Sequence, residues 1–173
     1  NSYTDCYVYP DLKSFFLNWI NALVNEKNIA LMDSDLSAKE IHDNNLTVNQ
    51  FVKIDNPKKV YSVEELVNSI QNSNSEITLF TSGTTGFTRK FTHPLKNLIR
   101  KINVSDERKN DVWGFAFNPT HVAGVQVFFQ AILNQNLLVN VFMESKDFII
   151  NAINEYKITN LSSTPTFYRL LLP

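Results

Sequence analysis

Apolar residues recur at three- and four-residue spacing across residues 11–25, at Leu12, Phe15, Phe16, Trp19, Ile20, Leu23 and Val24. That period puts one apolar stripe on an amphipathic helix, and Pro10-Asp11 ahead of it is a helix start signal. The short apolar run 28–32 suits a strand, and 34–42 predicts a brief helix capped by Ser34 or Asp35. From 43 to 59 the chain is polar and Asn-rich around a strand at 50–54, which predicts a surface connection without a domain boundary. Ser62-Val63-Glu64-Glu65 spells a capping box, and the helix it opens carries Val63, Leu66, Val67 and Ile70 toward a core.

After residue 76 the period changes repeatedly between two and 3.6. Strands are predicted at 76–81, 88–92, 112–117, 137–142 and 159–162, with helices at 94–104, 121–134, 146–156 and 165–172. Such alternation predicts an α/β fold, a mainly parallel β-sheet flanked by helices on both faces, joined by right-handed crossovers. The near-continuous apolar segments 112–117 and 137–142 read as strands buried on both faces. With no linker long enough for two domains, residues 1–173 are expected to form a single α/β domain.

Composition narrows the function classes. Sixteen Lys and Arg against seventeen Asp and Glu leave a net charge of −1, so no basic stripe is available to track a nucleic-acid backbone. The longest apolar stretch, 122–133, is broken by Gln126 and Gln130 and is too short for a bilayer core of about 30 Å. The lone Cys6 excludes an internal disulfide, and with no signal core ahead of it a reducing, cytoplasmic setting is expected. Three histidines without ligand spacing argue against a dedicated metal site. The chain opens on Asn1 rather than Met, as a piece of a longer protein would.

The segment with the clearest chemistry is Thr81-Ser82-Gly83-Thr84-Thr85-Gly86, directly after a strand, with Arg89 and Lys90 close behind. Glycines let consecutive N–H groups converge on one anion, hydroxyls add rotatable donors, and a trailing cation offsets phosphate charge. It is not a Walker A loop, because Phe87 stands where that motif has its Lys. The same composition suits a Ser/Thr/Gly-rich hairpin loop, and composition alone does not choose between the two.

With Phe87-Thr88-Arg89-Lys90 after it, this hexapeptide resembles the T-S-G-T-T-G-x-P-K loop of the adenylate-forming enzymes, the superfamily of acyl-CoA synthetases, luciferases and peptide-synthetase adenylation domains. Thr88 replaces the usual Pro and Arg89 the usual Lys, and Arg offers a bidentate fork in place of a point charge. Downstream, Pro119, His121 and Gly124 are similar to the superfamily's P-x-x-H-x-x-G-like motif, at a spacing one residue shorter than the commonest form. Taken alone, His121 reads as a capping residue, and only its pairing with the loop gives it a role; His42 and His93 have no such support. Residues 128–139 and the Thr159 to Thr166 segment, with Thr164-Pro165-Thr166, resemble later parts of the same fold, so the likeness runs from about 76 to 173. Phe128, Phe129, Phe167 and Tyr168 read as core packing.

The resemblance implies the N-terminal part of a short AMP-forming acid–thiol ligase, with ATP and Mg²⁺ as cofactors, coenzyme A as co-substrate and a small carboxylic acid as substrate. Thr81, Ser82, Gly83, Thr84, Thr85 and Gly86 would hold the nucleotide phosphates, Arg89 or Lys90 would offset leaving-group charge, and His121 and Gly124 would border the acyl pocket. The superfamily's adenine, ribose and Mg²⁺ groups and its catalytic Lys fall beyond residue 173. The remainder of the enzyme is therefore an expected partner, and the isolated chain is expected to be inactive. A nucleotide- or acyl-binding remnant and an interaction module that pairs with a second chain stay open beside the ligase.

Overall fold

The computed structural model describes residues 2–4, 6–8, 11–33, 37–43, 47–48, 50–82 and 88–172. They fall into two compact units, residues 1–100 and 101–173. No helix among the described residues is long and apolar enough to cross a membrane.

The first unit runs β1 (Ser2–Thr4), β2 (Cys6–Val8), α1 (Leu12–Val24), β3 (Ile29–Met32), α2 (Ala38–Asp43), β4 (Phe51–Lys53), α3 (Val63–Asn72), β5 (Glu76–Ser82), β6 (Thr88–Pro94) and α4 (Leu95–Ile99). Its main sheet has the order β2-β3-β5-β6, with parallel pairs β2·β3 and β3·β5 and an antiparallel pair β5·β6. On one face Ile29 and Leu31 sit opposite Ile77 and Leu79, all nearly inaccessible. On the other, Met32 and Phe80 pack with Ala30, Ile41 and Val48, so α2 covers that side.

Helix α1 follows the apolar period. Phe15, Trp19, Ala22 and Leu23 are fully buried, and the helix packs against α3. The strands β1 and β2 were not legible in the sequence. The side chain of Asn18 on α1 clamps β1, accepting from the Thr4 N–H at 2.7 Å and donating to the Thr4 carbonyl at 3.0 Å, while Asn21 donates to Ser2 O at 2.8 Å. Antiparallel β4 completes a two-stranded sheet with β1.

One boundary corrects the sequence reading. Helix α2 is capped by Ser37, whose hydroxyl receives the Glu40 N–H at 3.3 Å while Glu40 accepts from the Ser37 N–H at 2.9 Å. The proposed caps Ser34 and Asp35 lie outside the described residues. The capping box of α3 forms, with Ser62 accepting from Glu65 N at 3.1 Å, but Glu65 returns to the Tyr61 N–H, and Val63 in the first turn is half exposed.

The second unit begins with a 3-10 turn at Asp106–Arg108 and continues as β7 (Val112–Phe115), α5 (Val122–Leu133), β8 (Leu137–Asn140), α6 (Lys146–Glu155), β9 (Asn160–Ser162) and α7 (Pro165–Leu171). Its sheet is wholly parallel, in the order β8-β7-β9. Register assigns the two faces, because side chains alternate along a strand. Gly114 lies beside Val139 and Leu161, and on that face Val139, Val141, Ile149 and Ala152 pack with Phe167 and Leu171 of α7. The opposite face carries Trp113 and Phe115, and α5 packs on β7 and β8. Helices thus cover both faces of a parallel sheet, as the alternation predicts. The expectation that 137–142 is buried throughout is corrected: β8 is an edge strand ending at Asn140, and Leu137 is 53% exposed.

Candidate functional site

Strand β5 is a run of β-favouring residues, and it delivers Thr81 and Ser82 to the start of the candidate phosphate loop. Strand β6 returns beside it with Ser82 opposite Thr88, Thr81 opposite Arg89 and Phe80 opposite Lys90. Gly83, Thr84, Thr85 and Gly86, with Phe87, lie outside the described residues. The strands flanking them form an antiparallel pair, so the hairpin and the phosphate loop are two readings of one place. Arg89 and Lys90 are both exposed, and as consecutive strand residues they fall on opposite faces of the ladder. Lys90 shares a face with Thr78, whose hydroxyl meets that of Thr92 at 2.9 Å.

In the second unit, β7 runs out into the Asn118 to Gly124 motif. The Asn118 side-chain oxygen accepts from the Thr120 N–H at 2.9 Å and from its hydroxyl at 2.8 Å, an Asx turn around a buried Thr120. His121 follows as the N-cap of α5, in extended conformation and exposed, with its carbonyl accepting from Val125 N at 2.9 Å. A Cβ on Gly124 would fall onto the Asn118 carbonyl oxygen and come within 3.1 Å of Pro119 Cα. The Pro-to-Gly spacing therefore has a steric cause: only a residue without a side chain lets the incoming chain cross the first turn of α5 this closely.

Beside this crossing lies a cavity of about 300 Å³. Trp113 and Phe117 line it from β7 and the segment after it, Ser162 from the end of β9, and Ala123, Gln126, Val127 and Gln130 from α5. Lys101 and Ile102 complete the wall. His121 and Gly124 stand at the start of α5 but are not on that wall; Ala123, between them, is. The signal for the missed residues was in the sequence, since 123, 126, 127 and 130 stand at i, i+3, i+4 and i+7, one helix face mixing small and polar side chains. The segment bearing Lys101 is tied to the same helix. The Asn103 carbonyl accepts from Gln130 Nε2 and from Asn134 Nδ2, each at 3.0 Å, and Asn134 Oδ1 accepts from Ser105 N at 3.1 Å. Among the described residues no three His, Cys, Asp or Glu side chains gather as metal ligands would.

Solved structures share this architecture. The chain superposes over 96% of its length on half of o-succinylbenzoate CoA synthetase (MenE) from Bacillus subtilis, solved with the acyl-adenylate intermediate OSB-AMP, at a TM-score of 0.66 and 14% identity. It has the fold of the N-terminal region of the adenylate-forming enzymes. The inhibitor-bound N-terminal domain of FACL13 from Mycobacterium tuberculosis matches at a TM-score of 0.71 and 15% identity, over 96% of this chain and 50% of that one. The N-terminal subdomain of NpsA from Klebsiella oxytoca, in complex with 3-hydroxyanthranilyl-AMSN, matches at 0.63 and 14%, over 97% and 49%. This chain thus spans about half the length of these adenylate-forming structures. The Bacillus enzyme has also been solved with AMP, and with ATP and magnesium ion. No protein-family model and no curated protein matches the sequence.

Proposed function

We propose that this chain is the phosphate-gripping and acid-binding half of an ATP-dependent carboxylate-activating ligase. The observation that carries the reading is the hexapeptide Thr81 to Gly86 at the end of β5 in a chain with the adenylate-forming fold. The donors fit a polyphosphate: Thr81, Ser82, Thr84 and Thr85 bring hydroxyls, Gly83 and Gly86 bring unobstructed amides, and Arg89 and Lys90 bring charge. In the reaction, a carboxylate oxygen of the acid bonds to the α-phosphorus of ATP. The bond from that phosphorus to the bridging oxygen breaks, and its electron pair leaves with pyrophosphate. The loop holds the departing β- and γ-phosphates and offsets the charge that builds on them, which is electrostatic stabilisation without covalent catalysis. Magnesium, when bound, would add to that charge neutralisation, and in a second step the sulfur of a thiol such as coenzyme A would bond to the acyl carbon while the bond from that carbon to the adenylate oxygen breaks and AMP leaves. The α5 cavity is the place for the acid's body, with His121 and Gly124 at the start of that helix.

A thermal-shift titration tests the reading, since a ligand that binds only the folded state raises the melting temperature with its concentration. MgATP and pyrophosphate should both stabilise the chain, and Arg89→Ala combined with Lys90→Ala should abolish the shift. A cooperatively melting chain that neither ligand shifts contradicts the phosphate grip and favours a non-binding remnant.

A further inference from the structure

The cavity beside α5 lies between a helix and a sheet, and its two walls differ in kind. Register puts Trp113 on the face of β7 that α5 covers, and Ser162 of β9, opposite Phe115, falls on the same face. Helix α5 packs on β7 and β8, and the cavity lies toward β9, whose Ser162 lines it. The sheet wall is aromatic, made by Trp113 and, just past the end of the strand, by Phe117. Both residues are only half-buried, so the fold leaves part of each ring uncovered. The helix wall is shallow. Ala123 and Val127 stand one turn apart on α5, small where a Leu or Phe would fill the gap, and the Gln130 amide nitrogen is already engaged with the Asn103 carbonyl at 3.0 Å. Flat rings on one side and small side chains on the other leave a slot whose best-packed filling is another ring.

We infer that this cavity takes a planar aromatic ring in preference to a saturated ring or an aliphatic chain; resting on the acid-activating reading above, this makes the substrate a small aryl acid. A cavity of about 150 Å³ lined by apolar side chains holds a benzene molecule, so about 300 Å³ accommodates one substituted ring. Edge-on or offset contact of the ligand's ring with Trp113 and Phe117 adds to what the buried area alone supplies, and a saturated ring of the same size lacks that gain. Every residue of the slot belongs to the second unit, and the preference is the same whichever way the carboxylate points.

The indole N–H signals of the chain labelled with nitrogen-15 at tryptophan read this directly. There are two tryptophans, Trp19, fully buried in the first unit, and Trp113 in the slot. Benzoate and cyclohexanecarboxylate carry the same charge and similar bulk and differ in the ring. Benzoate should move the Trp113 signal saturably and leave Trp19 in place, with half-saturation at about one-fifth of the concentration that cyclohexanecarboxylate needs, the advantage of an aromatic contact. Phe117→Leu should narrow that ratio. Ala123 is exposed on its helix, so Ala123→Leu keeps the fold while filling the slot, and both acids should lose saturable binding. Equal half-saturation, a Trp113 signal that does not saturate, a ratio that Phe117→Leu leaves intact, or undiminished binding by Ala123→Leu overturns the inference. A chain that binds MgATP through its loop but prefers the saturated ring keeps the ligase reading and loses this one. A chain that prefers benzoate without binding nucleotide does the reverse.

Discussion

Gly124 has space for a hydrogen and nothing larger, since a Cβ there would meet the Asn118 carbonyl, a backbone group that cannot swing away. Gly114 differs: its Cβ would lie 2.7 Å from Leu161 Cδ1, the far end of a side chain that can rotate. Gly124→Ala should therefore destabilise by about 1–3 kcal/mol, the usual cost of forced overpacking, and by more than Gly114→Ala. Urea unfolding of both variants checks the order, and a neutral Gly124→Ala would contradict the crossing geometry. At this scale the sequence showed where but not why. The spacing of Pro119, His121 and Gly124 marked the motif, yet its steric cause appears only when Asn118 is seen against α5. The same limit explains the pocket. His121 stood out as a titratable side chain in a motif, whereas Ala123 and Gln126, which do line the cavity, carry no chemistry that a linear reading singles out.

Elements with a strong apolar period and a good cap were legible. Helix α1 is the plainest case: Asp11 caps it, accepting from the Ser14 N–H at 2.8 Å, and this backbone bond, followed by one from the Ser14 hydroxyl, holds the Asp11 carboxyl below its ordinary range. A carboxyl depressed in the folded state stabilises fully above its unfolded pKa, and the contribution is lost as pH falls through the folded value. The melting difference between the unmodified chain and Asp11→Ala should thus be present at neutral pH and close as acid is added below about pH 4. A difference independent of pH would contradict the cap. The misreadings have a common cause in contacts distant along the chain. Strand β1 is three residues held by Asn18 and Asn21 from another element, and no local pattern announces it. Helix α4 stops at Ile99 although the period suggested 104, and downstream the Asn103 carbonyl accepts two side-chain amides from α5 in place of a helical bond. The β5·β6 pair, by contrast, is antiparallel, the arrangement that the hairpin reading of this segment implies.

Across the whole chain, the fold class was readable because parallel strands separated by helices leave a regular alternation, and the loop hexapeptide pointed to the same fold that structural superposition finds at 14% identity. The division into units at residue 100 was not readable, since no Gly- or Pro-rich linker marks it. The central claim is that the loop after β5 grips phosphate, and the composition offers a direct probe of it. The chain has four glycines, Gly83 and Gly86 in the loop and Gly114 and Gly124 in the second unit. With glycine alone labelled with nitrogen-15, titration with magnesium pyrophosphate should move the amide signals of Gly83 and Gly86 saturably and leave those of Gly114 and Gly124 in place. If the two loop signals stay still, or all four move together, the loop is not the phosphate site.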